Sequence, residues 1–196
     1  MTQKRSGLWD SYYDNSKDLG ATSYGGDLLT MRLGAWWLND ERIQTVEDWG
    51  SGHGGFRSVL NERQTYIGLD GSSSKYADKR VDFEDYVSDV DGAHMRHVIE
   101  HNYEWEKVLR NFLSSFQIKG VLTLFTPFSD ETFVEKEFDW HGSMMPNICF
   151  SKSDLDSVFT EMGVEWSLMQ GLDTPTEYGI EHIYFLAKPE ENEENV

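Results

Sequence analysis

The chain has 196 residues, 38% of them hydrophobic, which is enough for one domain around a single core and too little for a multidomain assembly. Acidic residues outnumber basic ones 35 to 17, and the formal net charge of −18 argues against a surface built to neutralise nucleic-acid phosphates. With 7 Trp, 9 Tyr and 11 Phe it also differs from acidic disordered chains, which lack the bulky apolar side chains that offset ordering entropy.

Cys149 is the only cysteine, so no disulfide closes within the chain, and a reducing compartment, the cytoplasm, is expected. The basic pair Lys4-Arg5 is followed by no apolar run, so the start does not read as a secretory signal. The longest attractive apolar stretch, Gly120 to Phe128, falls short of the roughly 20 residues that span a bilayer as a helix. Neither nucleic acid nor membrane is an expected partner.

In chain order, residues 1–15 are polar and small and read as a flexible N-terminal segment, and 189–196 read as an acidic flexible tail. A single domain is expected over 16–188, with no internal repeat and no linker to divide it. Leu28, Leu29, Met31, Leu33 and Trp36 or Trp37 have the spacing of an amphipathic helix that packs on a sheet. Short runs rich in β-branched residues at Ile43–Asp48 and Thr65–Asp70 end in acids and predict buried parallel strands, as does Gly120–Phe128. Trp105, Val108, Leu109, Phe112, Leu113 and Phe116 lay one apolar stripe along a helix from about Tyr103 to Phe116. Ser151 with Asp154 reads as an acidic capping box, Leu155, Val158, Phe159 and Met162 as the inner face of the helix it starts, and Gly163 as its stop. Glu131 to Asn147 reads as an irregular stretch that could fold over a site as a lid. Val164–Met169 and His182–Lys188 predict a closing antiparallel pair around a polar loop. Alternating strand and helix signals predict an α/β fold: a Rossmann-like, seven-stranded, mostly parallel sheet with helices on both faces and a C-terminal antiparallel strand pair.

The most informative segment runs from Val46 to Phe56. Gly50, Gly52 and Gly54 remove side chains at alternate positions just past a predicted strand, so the backbone can turn sharply and approach a ligand, with a following helix offering N–H groups. Sixteen residues after Gly54, Asp70 ends the next strand, where a carboxylate can accept both hydroxyl hydrogens of a ribose. Gly50, Gly52 and Gly55 with Asp70 equally satisfy the dinucleotide fingerprint, so a nicotinamide cofactor stays open on these residues alone.

The order of segments along the chain resembles a known family. Asp48-Trp49-Gly50-Ser51-Gly52-His53-Gly54 is similar to the first motif of class I S-adenosylmethionine-dependent methyltransferases, and Tyr66-Ile67-Gly68-Leu69-Asp70 to their second strand with its ribose-binding acid. Asp91 to His101 resembles their fourth strand and the Glu-His pair after it, Gly120 to Pro127 their fifth strand, and the closing pair their sixth and seventh. The resemblance implies that Gly50, Gly52 and Gly54 line the methionine end of S-adenosyl-L-methionine, that Asp48 helps fix the loop and that Asp70 holds the ribose. It places Asp82 near the adenine amine, with Val81 or Phe83 flanking the ring. The cofactor half then covers about 45–102, and 16–44 and 130–150 are the substrate-side elements.

If the acceptor is a hydroxyl, a general base helps by roughly 10²–10⁴-fold, and histidine is the usual choice. Of the six histidines, His97 falls at the strand-to-helix junction that faces the methyl group in this fold, which makes it the first candidate both for the base and for contact with the cofactor. His141, in the lid-like stretch, is the second. His101 belongs to the Glu-His pair and is expected to satisfy backbone groups, and His53 to point away from the chemistry. Metal-dependent members of the family carry an Asp-Asn pair after the fifth strand; Asp130-Glu131 has no asparagine beside it, so no metal is expected. Tyr12, Tyr13 and Tyr24, ahead of the first strand, are candidates to contact the acceptor, because aromatic faces suit sugar or planar rings. The expectation is a transferase of the methyltransferase class (EC 2.1.1) acting on a small molecule, leaning to O-methylation of a saccharide or polyol, with homodimerisation left open. A nicotinamide-dependent oxidoreductase and a non-catalytic cofactor-binding module are the alternatives.

Overall fold

A computed structural model describes residues 29–140 and 143–190. Helix α1 (Leu29–Trp37) precedes strand β1 (Thr45–Trp49), then β2 (Thr65–Asp70), β3 (Lys79–Arg80) and β4 (Val90–Arg96). Helix α2 (Trp105–Ser115) runs directly into β5 (Phe116–Leu124); β6 (Phe133–Trp140) and β7 (Ser143–Cys149) follow, then α3 (Lys152–Glu161), β8 (Glu165–Asp173) and β9 (Ile180–Ala187). Seven strands form one sheet in the order β3-β2-β1-β4-β5-β9-β8, parallel except for β9, which is antiparallel to β5 and β8. The expected seven-stranded architecture with its antiparallel closing pair is what the chain adopts.

Period-two alternation sorts the strand side chains onto two faces. Trp49, Leu69, Met95, Leu122 and Tyr184 meet Val108, Leu109, Phe112 and Leu113 of α2 and Leu155, Val158 and Phe159 of α3. On the opposite face Val46, Val121, Ile183 and Phe185 pack against Met31 and Ala35 of α1 and Leu38 just past its end, while Trp36 stays exposed. The helices therefore lie on both sides of the sheet, and β8 is an edge strand with most of its residues exposed.

Three local expectations are corrected. Residues 131–147 are not irregular: β6 and β7 pair antiparallel as a separate two-stranded sheet, because Met145, Ile148 and Cys149 bury one strand while β6 stays open to solvent. No α-helix follows the glycine segment; only a 3-10 turn, Gly55–Ser58, stands there. Ser151 occupies the N-cap of α3, but its hydroxyl pairs with Ser153 Oγ at 2.6 Å instead of capping a backbone amide.

Candidate active site at the carboxyl edge of the sheet

The parallel strands all end on one edge, and the residues singled out in the sequence gather there. After Trp49 the chain bends through Gly50, Gly52 and Gly54, all at positive φ (75°, 52° and 71°). A methyl group on Gly50 would stand 2.3 Å from Val98 Cγ2, so the bend passes directly against the turn that follows β4. The amides of Gly50 and Ser51 both donate to the Leu69 carbonyl, at 2.9 and 2.8 Å, and the Gly52 amide donates to Asp70 Oδ2 at 3.0 Å. The loop thus leans onto the end of β2, and these donors hold its shape, with no helix terminus behind them.

Asp70 is buried. Its Oδ1 accepts from the amide and the hydroxyl of Ser72, at 2.8 and 2.6 Å, while Ser74 Oγ donates to the Gly52 carbonyl at 2.9 Å. Val81 donates its amide to the Asp70 carbonyl at 2.9 Å, which brings the turn containing Asp82 to the same edge. Asp82 Oδ1 accepts from the Glu84 amide at 3.1 Å, and Phe83 stacks on Trp49 with centroids 5.0 Å apart. Phe83 is therefore part of the core packing around β1.

Asp48 reaches its partners within the sheet. Because Asp48 pairs in register with His94 and Gly68 and shares the α1 face with Tyr66, its carboxylate accepts from Tyr66 Oη at 2.6 Å and meets His94 Nδ1 at 2.7 Å. His94 is 1% exposed and lies flat on Phe56, with centroids 3.7 Å apart and planes at 2°. Asp48 therefore joins β1, β2 and β4 beneath the glycine bend.

His97 has φ +57°, the one non-glycine left-handed residue among those described, and its amide still donates to the Thr123 carbonyl at 3.0 Å. In an extended strand Arg96 and His97 would face opposite sides of the sheet. The left-handed residue turns the imidazole back, so that His97 Nε2 lies 2.6 Å, Arg96 Nε 3.0 Å and Arg96 Nη2 2.5 Å from the same oxygen of Glu181 on β9. Burial, reinforced by the Arg96 charge, holds the His97 imidazole well below its ordinary pKa and so neutral. Burial works to raise the Glu181 carboxyl, yet the His97 ring beside it and the charge of Arg96 keep it ionised. Phe125 covers His97 at a centroid distance of 4.7 Å and also touches His101 and Tyr178.

The Glu-His pair satisfies backbone groups: Glu100 Oε1 accepts from the Phe125 amide at 2.8 Å, and His101 Nδ1 lies 3.1 Å from the Pro146 carbonyl on β7. The β6–β7 hairpin is thereby fixed over the ends of β4 and β5. Lys136 pairs with Glu177, Tyr178 donates to Glu135, Tyr103 donates to Glu137, and Asn147 Nδ2 donates to Glu177 at 3.2 Å.

The structure brings Gly50, Gly52, Asp70, Asp82 and His97 to one edge. His53 stands beside Tyr76 at its rim, with centroids 5.6 Å apart. His141, Tyr12, Tyr13 and Tyr24 lie outside the described residues. Sequence reasoning missed Arg96, Glu181 and Tyr178. Glu181 did carry a signal, a lone acid inside the apolar run Ile180 to Ala187, which an exposed strand would not need. Among the described residues no cluster of three or more His, Cys, Asp or Glu side chains is placed to hold a metal, and no helix is long and apolar enough to cross a membrane.

No protein-family profile matches the chain, and no curated protein matches it by sequence. Solved structures do. The 1,6-didemethyltoxoflavin-N1-methyltransferase of Burkholderia thailandensis, with its substrate and S-adenosylhomocysteine bound, superposes with a TM-score of 0.66 at 12% identity, over 92% of this chain and 85% of that one. Magnesium protoporphyrin IX methyltransferase from Synechocystis, with bound SAM, gives 0.64 at 14% identity over 96% and 99%. The N-terminal domain of EvdMO1, crystallised in the presence of SAH and D-fucose, gives 0.59 at 11% identity over 84% of each chain. The fold is therefore the one these methyltransferases share.

Proposed function

We propose that this chain, folded as the class I methyltransferases are, is an S-adenosylmethionine-dependent methyltransferase acting on a small molecule. The observation that carries the reading is the Gly50–Gly54 bend tied to Asp70 at the carboxyl edge of the sheet. The residues fit the nucleoside. Three positive-φ glycines shape the bend, and among the described residues Asp70 Oδ2 accepts from the Gly52 amide alone, so a lone pair remains for a ribose hydroxyl. Asp70 is assigned to the ribose, Asp82 to the adenine side, and Gly50, Gly52 and Gly54 to the methionine end.

When bound, the cofactor supplies a methyl group carried on a sulfonium for in-line displacement. The chain's contribution is orientation, which in well-aligned reactions is worth roughly 7–11 kcal/mol, and a base for the acceptor's proton. His97 takes that role: it is neutral, it sits one residue before the Val98 that touches Gly50, and it lies under the hairpin and Phe125. The acceptor side, between that hairpin and the β4 and β5 ends, is lined by Phe125, His101 and Tyr178. Aromatic faces suit a saccharide or polyol ring, and EvdMO1, of the same fold, was crystallised in the presence of D-fucose, which supports O-methylation of that class.

The test is calorimetric titration with S-adenosylhomocysteine and with NADH, followed by methyl transfer to a panel of sugars and polyols. Saturable binding of S-adenosylhomocysteine alone, with turnover on the panel, is the expected result. Preference for NADH overturns the reading in favour of an oxidoreductase, and binding without any turnover in favour of a non-catalytic module.

A further inference from the structure

Between α1 and the sheet, the apolar packing gives way to a polar row near the carboxyl edge. Gly34 of α1 lies so close to β5 that an added methyl would stand 3.3 Å from Val121 Cγ1. Thr30, one turn earlier on the same helix face, comes beside the Glu181 carboxylate without a hydrogen bond of normal geometry. Arg96 and Thr123 face each other in the β4–β5 register, and Thr123 pairs with Ile183, two residues from Glu181 along β9. Thr30, Thr123 and Glu181 are each 0% exposed. Arg96 Nε and Nη2 both donate to Glu181 Oε1, while Oε2 has no donor, and the hydroxyls of Thr30 and Thr123 have no hydrogen-bond partner. A buried polar atom left unpaired has given up its hydration for nothing, so three in one row call for a partner from outside the chain.

Resting on the methyltransferase reading, we propose that this row is the hydroxyl-reading floor of the acceptor site, where Thr30, Thr123 and Glu181 select an acceptor with several hydroxyl groups. An ionised Oε2 only accepts, so it needs a donor; a threonine hydroxyl both donates and accepts. A polyol meets all three, because each of its hydroxyls does both. A heteroaromatic ring that offers lone pairs alone leaves Oε2 unmet. A protonated amine finds no surplus charge, since the Arg96 guanidinium already balances the carboxylate. Phe125 and Glu181 each lie one residue beyond the Leu124–His182 pair, so an aromatic ring stands beside the row, as suits one face of a sugar. In the free chain α1 shuts these atoms off from solvent, and the acceptor reaches them as the first turn of α1, which carries Thr30, gives way.

The experiment compares the full wild-type chain with Thr123→Val, which exchanges the hydroxyl for a methyl of the same shape, and with Thr123→Ser, which keeps a hydroxyl. In the free chain Thr123→Val is expected to raise the melting temperature by about 2 °C or more, because it removes an unpaired buried group. With S-adenosylhomocysteine bound, NMR titration of the wild type is expected to show myo-inositol and D-fucose binding about tenfold or more tighter than cyclohexanol, a ring with one hydroxyl. Thr123→Val is expected to weaken both about tenfold, Thr123→Ser to stay within about twofold of the wild type, and S-adenosylhomocysteine affinity to hold within about twofold in each. Thr30→Val repeats the comparison from the helix side should the strand variant fail to fold. A lowered melting temperature in Thr123→Val, which would show that an ordered water already serves the hydroxyl, overturns the inference. So do cyclohexanol binding as tightly as myo-inositol, no binding of either polyhydroxy probe, and wild-type affinities in Thr123→Val. Failure of the wild type to bind S-adenosylhomocysteine would instead sink the methyltransferase reading, and the melting comparison, made on the free chain, would still decide whether the Thr123 hydroxyl lacks a partner.

Discussion

Gly52 donates its amide to Asp70 across 3.0 Å, so the residue assigned to the ribose also shapes the loop assigned to the methionine end. Asp70→Ala is expected to remove both. Hydrogen bonds to a charged group are worth about 1.5–3 kcal/mol, and each 1.4 kcal/mol is tenfold in affinity, so calorimetry should show S-adenosylhomocysteine binding weakened at least tenfold. Unchanged affinity would show that Asp70 serves only the loop.

Gly50→Ala should be costly in the fold itself. Its φ of +75° strains any side chain, and the added methyl would lie 2.3 Å from Val98 Cγ2. A drop in melting temperature is expected, and Val98→Ala in the same chain should restore part of it by relieving the clash, with the backbone strain of about 1–2 kcal/mol remaining. Full restoration by Val98→Ala would mean that φ at this position carries no cost.

For His97 the informative variant is asparagine, which tolerates a left-handed backbone better than alanine does. His97→Asn is expected to lower methyl transfer by roughly 10²–10⁴-fold with cofactor affinity nearly intact. Equal loss of both in a binding assay and a turnover assay would make the residue structural.

Glu100 supplies a pH test. Burial pushes its carboxyl up to about 8, above the unfolded value of 4.5, so the folded protein holds a proton there that the unfolded chain has lost. The stability tied to that proton is fully present below about pH 4.5 and falls as the pH rises toward 8. Glu100→Gln keeps an oxygen to accept from the Phe125 amide and cannot ionise. Denaturant melts at pH 5 and pH 8 should show the variant gaining on the wild type as pH rises, and parallel stabilities at both would refute the raised pKa.

What the sequence disclosed was whatever local pattern alone determines. The stripe at Val108, Leu109, Phe112 and Leu113 follows from helical periodicity, the buried strands β1, β2 and β9 from short apolar runs, and the glycines and Asp70 from backbone geometry at a strand end. The β6–β7 hairpin was illegible because β6 carries three successive charges, Glu135, Lys136 and Glu137, where a strand signal would alternate, and stays exposed, and its partner strand contains Pro146. The Arg96–Glu181–His97 group was illegible for another reason. Arg96 and Glu181 lie 85 residues apart, and only the antiparallel return of β9 beside β5 brings them together.

From Gly50 to Asn61 and from Gly71 to Asp89 the described chain holds no α-helix, only turns, a 3-10 segment and the two residues of β3. Their order is borrowed from the strand ends they bridge, so they belong to the part of the molecule that opens locally at least cost. An occupant resting on both stretches would itself become a structural member. Its arrival should register as slowed amide exchange across those two stretches, while the amides of α2 and α3, already locked by the core, exchange as before.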